Sequence, residues 1–333
     1  MASAGVSIFL ISPFPLNTQD NTLDKFASIP GVRTSLSLEE FQAQLQKVGA
    51  VIAAIPKQIA GSPQKVSKFD YPALSGIRIA EIENLVLNQE LVGKIQGIVF
   101  DVKVGEGSSL GGRSEALIFV SSSEKVCNRL EIPSSFLLNN MDQPLGESVG
   151  NSLEIKEVIE ILRGNGPLDV LKLALEIGSE MLLLAKKFKI KTLAKSSLKR
   201  KIEEGKALMK FEEIIKAQGG NPLIVSDDSL FPKAELKKRV PSPGKGYLHR
   251  IEMKRINHLL NELTANQQDR DRVGFLIFKK IGDWIEEGET IAEVHLNEAG
   301  SWPFIESGLK NAFVLSKNHP DFKPLIIESI RKA

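Results

Sequence analysis

The residues best placed to bind an anion lie in a glycine-rich loop that follows a short apolar strand. The strand is predicted at Gly97–Val102, and the loop GEGSSLG occupies residues 105–111. Main-chain amides in such a loop can point at a phosphate group. Glu106, however, would place a carboxylate beside that phosphate, and a few glycines are a weak signal. Alone, the loop favours an ordinary strand-to-helix turn over a phosphate site.

Other reactive side chains do not form a recognisable site. Cys127 has no activating neighbours in the sequence, and the nucleophile elbow G-x-S-x-G does not occur. The histidines lack metal-ligand spacing, which favours structural or surface roles. They are His249, His258, His295 and His319. We therefore expect no metal and no cofactor.

A lysine-rich run from Lys186 to Lys206 could in principle contact nucleic acid. Its only aromatic residue is Phe188, and Glu203 and Glu204 interrupt the positive charge. Nucleic-acid surfaces usually combine cations with stacking aromatics. The run therefore predicts a solvated helical surface, and we expect no nucleic-acid partner.

Length and composition indicate a globular protein with two domains. The chain has 333 residues, of which 42% are hydrophobic and 25% charged, and its net charge is +2. That charge implies neither nucleic acid nor an acidic membrane surface. The apolar N-terminus has no cation before Lys25, and no uninterrupted apolar segment could span a bilayer. With a single cysteine, the chain is expected to be soluble and cytoplasmic, with no membrane partner.

Strands and helices alternate along most of the chain, which predicts an α/β fold with a mostly parallel central sheet flanked by helices. Ser37 before Glu39 and Glu40 marks a helix start. The predicted strands are Val6–Ile11, Val51–Ile55, Gly97–Val102 and Ser135–Leu138, and the predicted helical segments are Leu38–Val48, Ile77–Leu91, Arg113–Phe119 or beyond, and Leu168–Leu193.

The segment LLNNMDQPLGESVGNSLEIKEVIEIL, residues 137–162, combines a tight turn with an amphipathic helix. Asn151 is predicted to cap the helix, with Glu154 reaching back from three residues later. The apolar face is predicted to comprise Ile155, Val158, Ile159 and Leu162. A strand ending near residue 138, the turn and the helix make one α/β unit.

A Pro/Gly/Ser-rich break, KKRVPSPGKG at residues 237–246, predicts a domain boundary. We assign residues 1–238 to an α/β domain with a small helical insertion at about 69–92, and residues 239–333 to a C-terminal α+β domain. Strands Val273–Phe278 and Thr290–His295 flank GDWIEEGE, as in barrel-sandwich folds. No carrier lysine motif is present at a hairpin tip, so a structural domain is the preferred interpretation.

Several ordered blocks resemble the thymidine and pyrimidine-nucleoside phosphorylases. They are TLDKFASIPGV (22–32), FDVKVGEG (100–107), the 137–162 segment, ALEIGSEML (174–182), GYLHRIEMKRI (246–256) and RVGFLIFKKIGDWIEEGETIAEVH (272–295). The resemblance implies an α/β domain on the phosphate side of a cleft, a small helical domain and a C-terminal α+β domain. It also implies reversible phosphorolysis of a pyrimidine nucleoside to base and sugar 1-phosphate, with phosphate as co-substrate.

On the phosphate side, the family pattern is only partly retained. The family's Lys-His-Ser-Thr-Gly-Gly loop lies well before TLDK, but only 21 residues precede Thr22 here and none forms that loop. In the family's second glycine-rich run, Ser12, Leu16 and Thr22 remain while every glycine is replaced. Glycine allows the backbone to approach a phosphate closely. Ser12 and Thr22 are thus the residual phosphate-binding candidates.

On the base side, the family uses an arginine after Tyr-Ala-Leu and a Ser-x-x-x-Lys pair. Counting back without gaps from Asp101 puts Leu85 at the serine position and Gln89 at the lysine position. Arg78, in FDYPALSGIR, is the only nearby cation that could substitute for the arginine. Arg78 and Leu16 are the residual base-binding candidates, and the catalytic residues are left unassigned.

The sequence therefore suggests a divergent phosphorylase homologue whose activity is weak or lost. One alternative is an active phosphorylase completed by a separate N-terminal chain, which would not explain Leu85 and Gln89. Another is a non-enzymatic interaction protein that assembles as a homo- or hetero-oligomer. If the protein is active, its partners are a pyrimidine nucleoside and phosphate.

Overall fold

The computed structural model describes residues 1–12, 22–54, 95–108, 110–321 and 323–332. The described strands are β1 (Ile8–Ser12), β2 (Ala50–Ala54), β3 (Ile98–Val104), β4 (Ser134–Asn140), β5 (Ser148–Val149), β6 (Leu236–Pro241), β7 (Gly246–Ile251), β8 (Gly274–Ile277), β9 (Trp284–Ile285), β10 (Thr290–Leu296), β11 (Phe313–Ser316) and β12 (Ile326–Lys332). The described helices are α1 (Thr22–Ala27), α2 (Leu38–Val48), α3 (Arg113–Arg129), α4 (Asn151–Arg163), α5 (Leu168–Leu184), α6 (Lys191–Glu203), α7 (Lys206–Ala217), α8 (Met253–Leu263) and α9 (Trp302–Ala312). The predicted α/β class is confirmed.

Parallel pairing occurs in two places in the N-terminal part. Strand β1 pairs with β2, and β3 pairs with β4, both in parallel register. Strand β12 then adds to the other side of β4 in antiparallel orientation. Six of the seven β4 residues are buried, as expected for a strand paired on both edges and covered by helices. The carboxyl ends of β3 and β4 consequently meet at one edge of their sheet, where α/β proteins commonly bind ligands.

Helix α2 begins and ends where the sequence predicts. The Ser37 hydroxyl accepts a hydrogen bond from the Glu40 amide at 3.2 Å, and the Glu40 carboxylate accepts one from the Ser37 amide at 2.9 Å. This reciprocal capping box satisfies two amides that the first helical turn would otherwise leave unpaired. It confirms Ser37 as the start signal.

The predicted cap of α4 is wrong by one residue. Gly150 occupies the cap position with φ +135°, and its amide donates to Glu154 Oε1 at 3.2 Å. Glycine is required because a Cβ at this position would lie 2.7 Å from the Val273 carbonyl oxygen. Asn151 instead lies in the first turn, where its amide donates to Asp271 at 2.9 Å. Glu154 thus reaches back as predicted, but to a different residue.

The apolar face of α4 also differs in one position. Val158 is 37% exposed, whereas Ile161 is 6% exposed and packs inward. Ile155 and Ile159 are buried as predicted, and Leu162 is partly buried against the same core. The buried face is therefore rotated slightly because α4 contacts α1, α6 and α7 as well as the strands.

The C-terminal part consists of antiparallel sheets and helices. Its sheets have the strand orders β5-β8-β10-β6 and β11-β7-β9, and helices α8 and α9 pack on a shared apolar core. The proposed boundary after residue 238 lies within β6, and β12 returns to the sheet of β4. The domain limits stay a prediction. The predicted helical insertion at 69–92, including Ile77–Leu91, lies outside the described residues.

A buried carboxylate joins α5 to its surroundings. Glu180 is 0% exposed, and Arg331 of β12 donates to both of its oxygens, at 2.7 and 2.9 Å. Lys191 of α6 lies 2.7 Å from Glu180, and the Ser135 hydroxyl of β4 donates to it at 3.1 Å. Burial alone would raise the pKa, but Arg331 and Lys191 hold the pKa of Glu180 at about 2. The Glu180 carboxylate thus links α5 to β12, α6 and β4.

We expect Glu180→Gln to lower the free energy of unfolding at pH 7 by about 3 kcal/mol, because a buried charge pair loses one partner. The folded-state pKa of Glu180 lies below its ordinary value of 4.5, so the carboxylate stabilises the fold above about pH 4.5 and loses this effect as the pH falls toward 2. Urea denaturation over that pH range should show the two proteins converging in stability.

Glu203→Gln is the matched control. Glu203 is 59% exposed and lies 3.7 Å from Lys199, so its removal should change stability by less than about 0.5 kcal/mol. Equal effects of the two substitutions would contradict the role assigned to Glu180.

Candidate functional site

The glycine-rich loop leaves β3 at the carboxyl edge of the sheet and leads into α3. Gly105 has φ +123°, and a Cβ there would lie 2.5 Å from an Asp142 carboxylate oxygen. Its amide donates to the Gly111 carbonyl at 2.9 Å, which closes the loop on itself. Only glycine fits this combination of backbone angle and close contact.

Two amides of the loop that could cradle an anion are already used within the protein. The Glu106 amide donates to Asp142 Oδ1 at 3.1 Å, and the Gly107 amide donates to the Met141 carbonyl at 3.0 Å. An incoming phosphate would have to displace a carboxylate that occupies the position of an anion. The geometry agrees with the strand-to-helix turn that the sequence favours.

Asp142 therefore acts as an internal anion for this loop. Its other carboxylate oxygen lies 2.7 Å from Lys323, and its own amide donates to Asn140 at 3.0 Å. Sequence reasoning missed this role because Asp142 and Glu106 lie 36 residues apart. No local pattern indicates a contact between two separate strand ends.

The turn after Asp142 docks onto the C-terminal part of the chain. Gln143 Oε1 accepts a hydrogen bond from the Ile281 amide at 2.7 Å. The Lys280 ammonium donates to the carbonyls of Pro144, at 2.7 Å, and Gly146, and lies 3.3 Å from Asp169. The turn within the 137–162 segment therefore makes contacts that hold two parts of the structure together.

Of the predicted site residues, Ser12 and Thr22 lie at the ends of described elements. Ser12 is the last residue of β1 and pairs with Ala54, the last residue of β2. Thr22 is exposed and is the first residue of α1. A strand end and a helix start are both favourable positions for contacting an anion. Leu16 and Arg78, together with Leu85 and Gln89, lie outside the described residues.

The charged residues after Thr22 hold α1 in place. Asp24 accepts a hydrogen bond from Arg270 at 2.9 Å, and Lys25 lies 2.6 Å from Glu154 of α4. These partly buried pairs fix the short α1 against the longer helix. The TLDK block thereby sets the position of Thr22.

Strand β2 is positioned by a buried amide side chain. Gln218 is 0% exposed and donates to the carbonyls of Arg33, at 2.7 Å, and Ile52, at 2.8 Å. Its oxygen accepts from the Ile52 amide at 3.2 Å and from Gln44 at 3.1 Å. A buried polar group with all its partners satisfied specifies one arrangement of the elements around it.

Metal and thiol chemistry find little support in the described part of the chain. Its His, Cys, Asp and Glu side chains form no group of three or more that could hold a metal ion. Cys127 is buried, and burial raises the pKa of its thiol, which disfavours the reactive thiolate. None of the described helices is long and apolar enough to cross a bilayer.

Comparison with known proteins shows similarity to pyrimidine-nucleoside phosphorylases. No family model matches the chain. The pyrimidine-nucleoside phosphorylases of Bacillus subtilis, Staphylococcus epidermidis and Geobacillus stearothermophilus are 29%, 28% and 27% identical to it. Each alignment spans 302 residues, which is 89% of this chain and 70% of the relative.

We expect Gly105→Ala to destabilise the protein by more than about 2 kcal/mol, because it combines an unfavourable φ with a clash against Asp142. Gly111→Ala is the control, since Gly111 also has positive φ (+79°) but a Cβ there meets nothing within 4 Å. The Gly111→Ala protein should lose only about 1 kcal/mol of unfolding free energy. Thermal and urea denaturation measure both; a larger loss for Gly111→Ala would contradict the proposed packing.

Proposed function

Since the chain belongs to the pyrimidine-nucleoside phosphorylase family, we propose that it is a divergent homologue in which nucleoside phosphorolysis is weak or lost. The family reaction converts a pyrimidine nucleoside and phosphate to free base and (deoxy)ribose 1-phosphate. The observation that carries the proposal lies in the sequence, where every glycine of the family's second glycine-rich run is replaced and Leu85 and Gln89 stand at the base-side serine and lysine positions. In the glycine loop after β3, two amides donate to Asp142 and Met141.

The reaction makes two demands on the protein. Phosphate must be held by amides, hydroxyls and cations close to the sugar carbon that it attacks. The pyrimidine leaves with developing negative charge, which preorganised donors must stabilise. Each donor that is removed lowers the rate by roughly 10²–10³-fold, although such losses do not simply multiply.

On the phosphate side, the remaining candidates are Ser12 and Thr22. Both supply hydroxyl groups, and neither brings positive charge. In the glycine loop after β3, Asp142 already accepts the Glu106 amide, so that amide is not free for a phosphate. Two hydroxyls without a cation would hold phosphate weakly.

On the base side, the substitutions remove charge and hydrogen-bonding capacity. Leu85 has no donor to offer, and Gln89 is neutral where the family resemblance implies an ammonium group. Arg78 and Leu16 are the residual candidates for contacting a base. A single arginine would stabilise the leaving pyrimidine less well than an arginine, serine and lysine together.

The direct test is to incubate the purified protein with phosphate and either thymidine or uridine, and to quantify free base by chromatography. The Bacillus subtilis relative serves as the positive control. We expect turnover at least about 10³-fold slower than the control, from the loss of more than one donor. Turnover similar to the control would overturn the proposal.

A Leu85→Ser/Gln89→Lys double variant separates the two sides of the site. If the phosphate side is impaired as proposed, restoring the base side alone should leave phosphorolysis undetectable or weak. Full recovery in the double variant would contradict the phosphate-side argument. Measuring the thermal shift with uracil in the same variant checks whether base binding has been regained.

A further inference from the structure

A concave site lies between α4 and the strands of the C-terminal part. The cavity has a volume of about 340 Å³, within the range of small-molecule sites. None of its lining residues belongs to the glycine loop, to β1 or to α1. The lining residues are Ser152, Leu153, Lys156, Asp228, Ser229, Pro232, Lys233, Ala234, Lys237, Arg272 and His295.

The cavity is strongly basic. Its lining includes the cations Lys156, Lys233, Lys237 and Arg272, against the single carboxylate of Asp228. Burial lowers the pKa of Lys156, and the neighbouring Lys237 and Lys233 lower it further, while Asp228 opposes them. Like charges brought together in this way repel one another unless an anion lies between them.

The nearby carboxylates compensate only part of this charge. Glu293 lies 4.0 Å from Lys237, but it also lies 3.9 Å from Arg239 and 3.0 Å from His295. Among the described residues, no carboxylate lies within salt-bridge distance of the Lys233 or Arg272 side chain. These two exposed cations therefore retain positive charge at the mouth of the cavity.

His295 adds little positive charge near neutral pH. Burial lowers its pKa, and the nearby Lys237 lowers it further, although Glu293 opposes both. The positive field of the cavity therefore comes from Lys156, Lys233, Lys237 and Arg272.

Ser152 is a further unusual feature beside the cavity. The residue is 3% exposed and is one of the lining residues, and its hydroxyl has no hydrogen-bond partner among the described residues. A buried hydroxyl without a partner costs about 1–3 kcal/mol. Proteins rarely retain such a group unless something else satisfies it.

The position of Ser152 also favours an anion. It lies in the first turn of α4, a 13-residue helix, where amides have no acceptor within the helix. The amide groups and the helix dipole both favour negative charge at this end. Three features thus converge on the same cavity: the cations, the unpartnered hydroxyl and the helix start.

We propose that this cavity binds the phosphate group of a small phosphorylated molecule, with Arg272, Lys156 and Lys233 supplying charge and Ser152 supplying a hydrogen bond. A phosphate group alone fills only part of the volume, so the cavity also accommodates the sugar-sized remainder of such a molecule. None of the lining residues is among the candidates for phosphorolysis, and neither proposal depends on the other.

Isothermal titration calorimetry at low salt tests the proposal with ribose 5-phosphate, inorganic phosphate and ribose. We expect ribose 5-phosphate to bind and ribose not to bind. Equal affinity for inorganic phosphate would identify the free ion as the ligand and would still support the site. Absence of binding by both phosphate compounds would overturn it.

Variants show whether binding occurs at this cavity. Arg272→Gln and Ser152→Ala should each weaken ribose 5-phosphate binding about tenfold, because each removes a hydrogen bond to a charged group. Ser152→Ala should leave the stability of the free protein unchanged or higher, since it removes an unpartnered buried hydroxyl. Reduced affinity without reduced stability is a result that a purely structural role would not give.

Arg239→Gln is the matched control. Arg239 is 77% exposed in its side chain and does not line the cavity. Its replacement should change the affinity less than twofold. A loss as large as that of Arg272→Gln would indicate nonspecific attraction to basic surface and would overturn the proposal, as would unchanged affinity in Ser152→Ala and Arg272→Gln together.

Discussion

The buried carboxylate of Glu180 is the interaction on which the arrangement of the α/β part depends. A charge at 0% exposure is tolerable only when cations and donors replace the water that it has lost. Arg331 and Lys191 meet this need from two different elements, and Ser135 contributes from a third. Burying the Glu180 charge is favourable only while Arg331, Lys191 and Ser135 all contact it. Helix α5, helix α6 and the sheet are therefore held in one relative position.

The same principle applies to the turn of the 137–162 segment, whose groups are partners for other parts of the protein. The turn at residues 141–146 supplies carbonyls to Lys280, and Asp142 supplies a carboxylate to the glycine loop. Replacing Asp142 or Gln143 would leave the Glu106 amide or the Ile281 amide without its side-chain acceptor.

Local signals in the sequence predicted where α2 and α5 begin, but the helix predicted at Leu168–Leu193 ends at Leu184 and a separate helix begins at Lys191. Contacts between distant segments could not be predicted from such signals. Helix α2 was predicted to the residue because Ser37 and Glu40 form its cap within four positions. The cap of α4 was misplaced because the need for Gly150 comes from Val273, far along the chain. The basic cavity was not anticipated for the same reason: Lys156, Lys233 and Arg272 converge from separate elements, and none lies in a recognisable motif. The candidate site was predicted only through family resemblance, since its surviving residues are ordinary serine, threonine, leucine and arginine.

The antiparallel pairing of β12 with β4 has a consequence for how the chain is made. Strand β3 precedes β4 in the chain, so one edge of β4 can pair as soon as β4 has been synthesised. The other edge of β4 is completed only by residues 326–332. During translation, an apolar strand therefore remains open on one side while nearly the whole intervening chain is being synthesised. An open strand edge can pair with other chains, so the nascent protein is exposed to misassociation until β12 leaves the ribosome. Glu180 lacks its bidentate partner Arg331, which is 151 residues later, for the same interval, and only Lys191 and Ser135 are available to it before then.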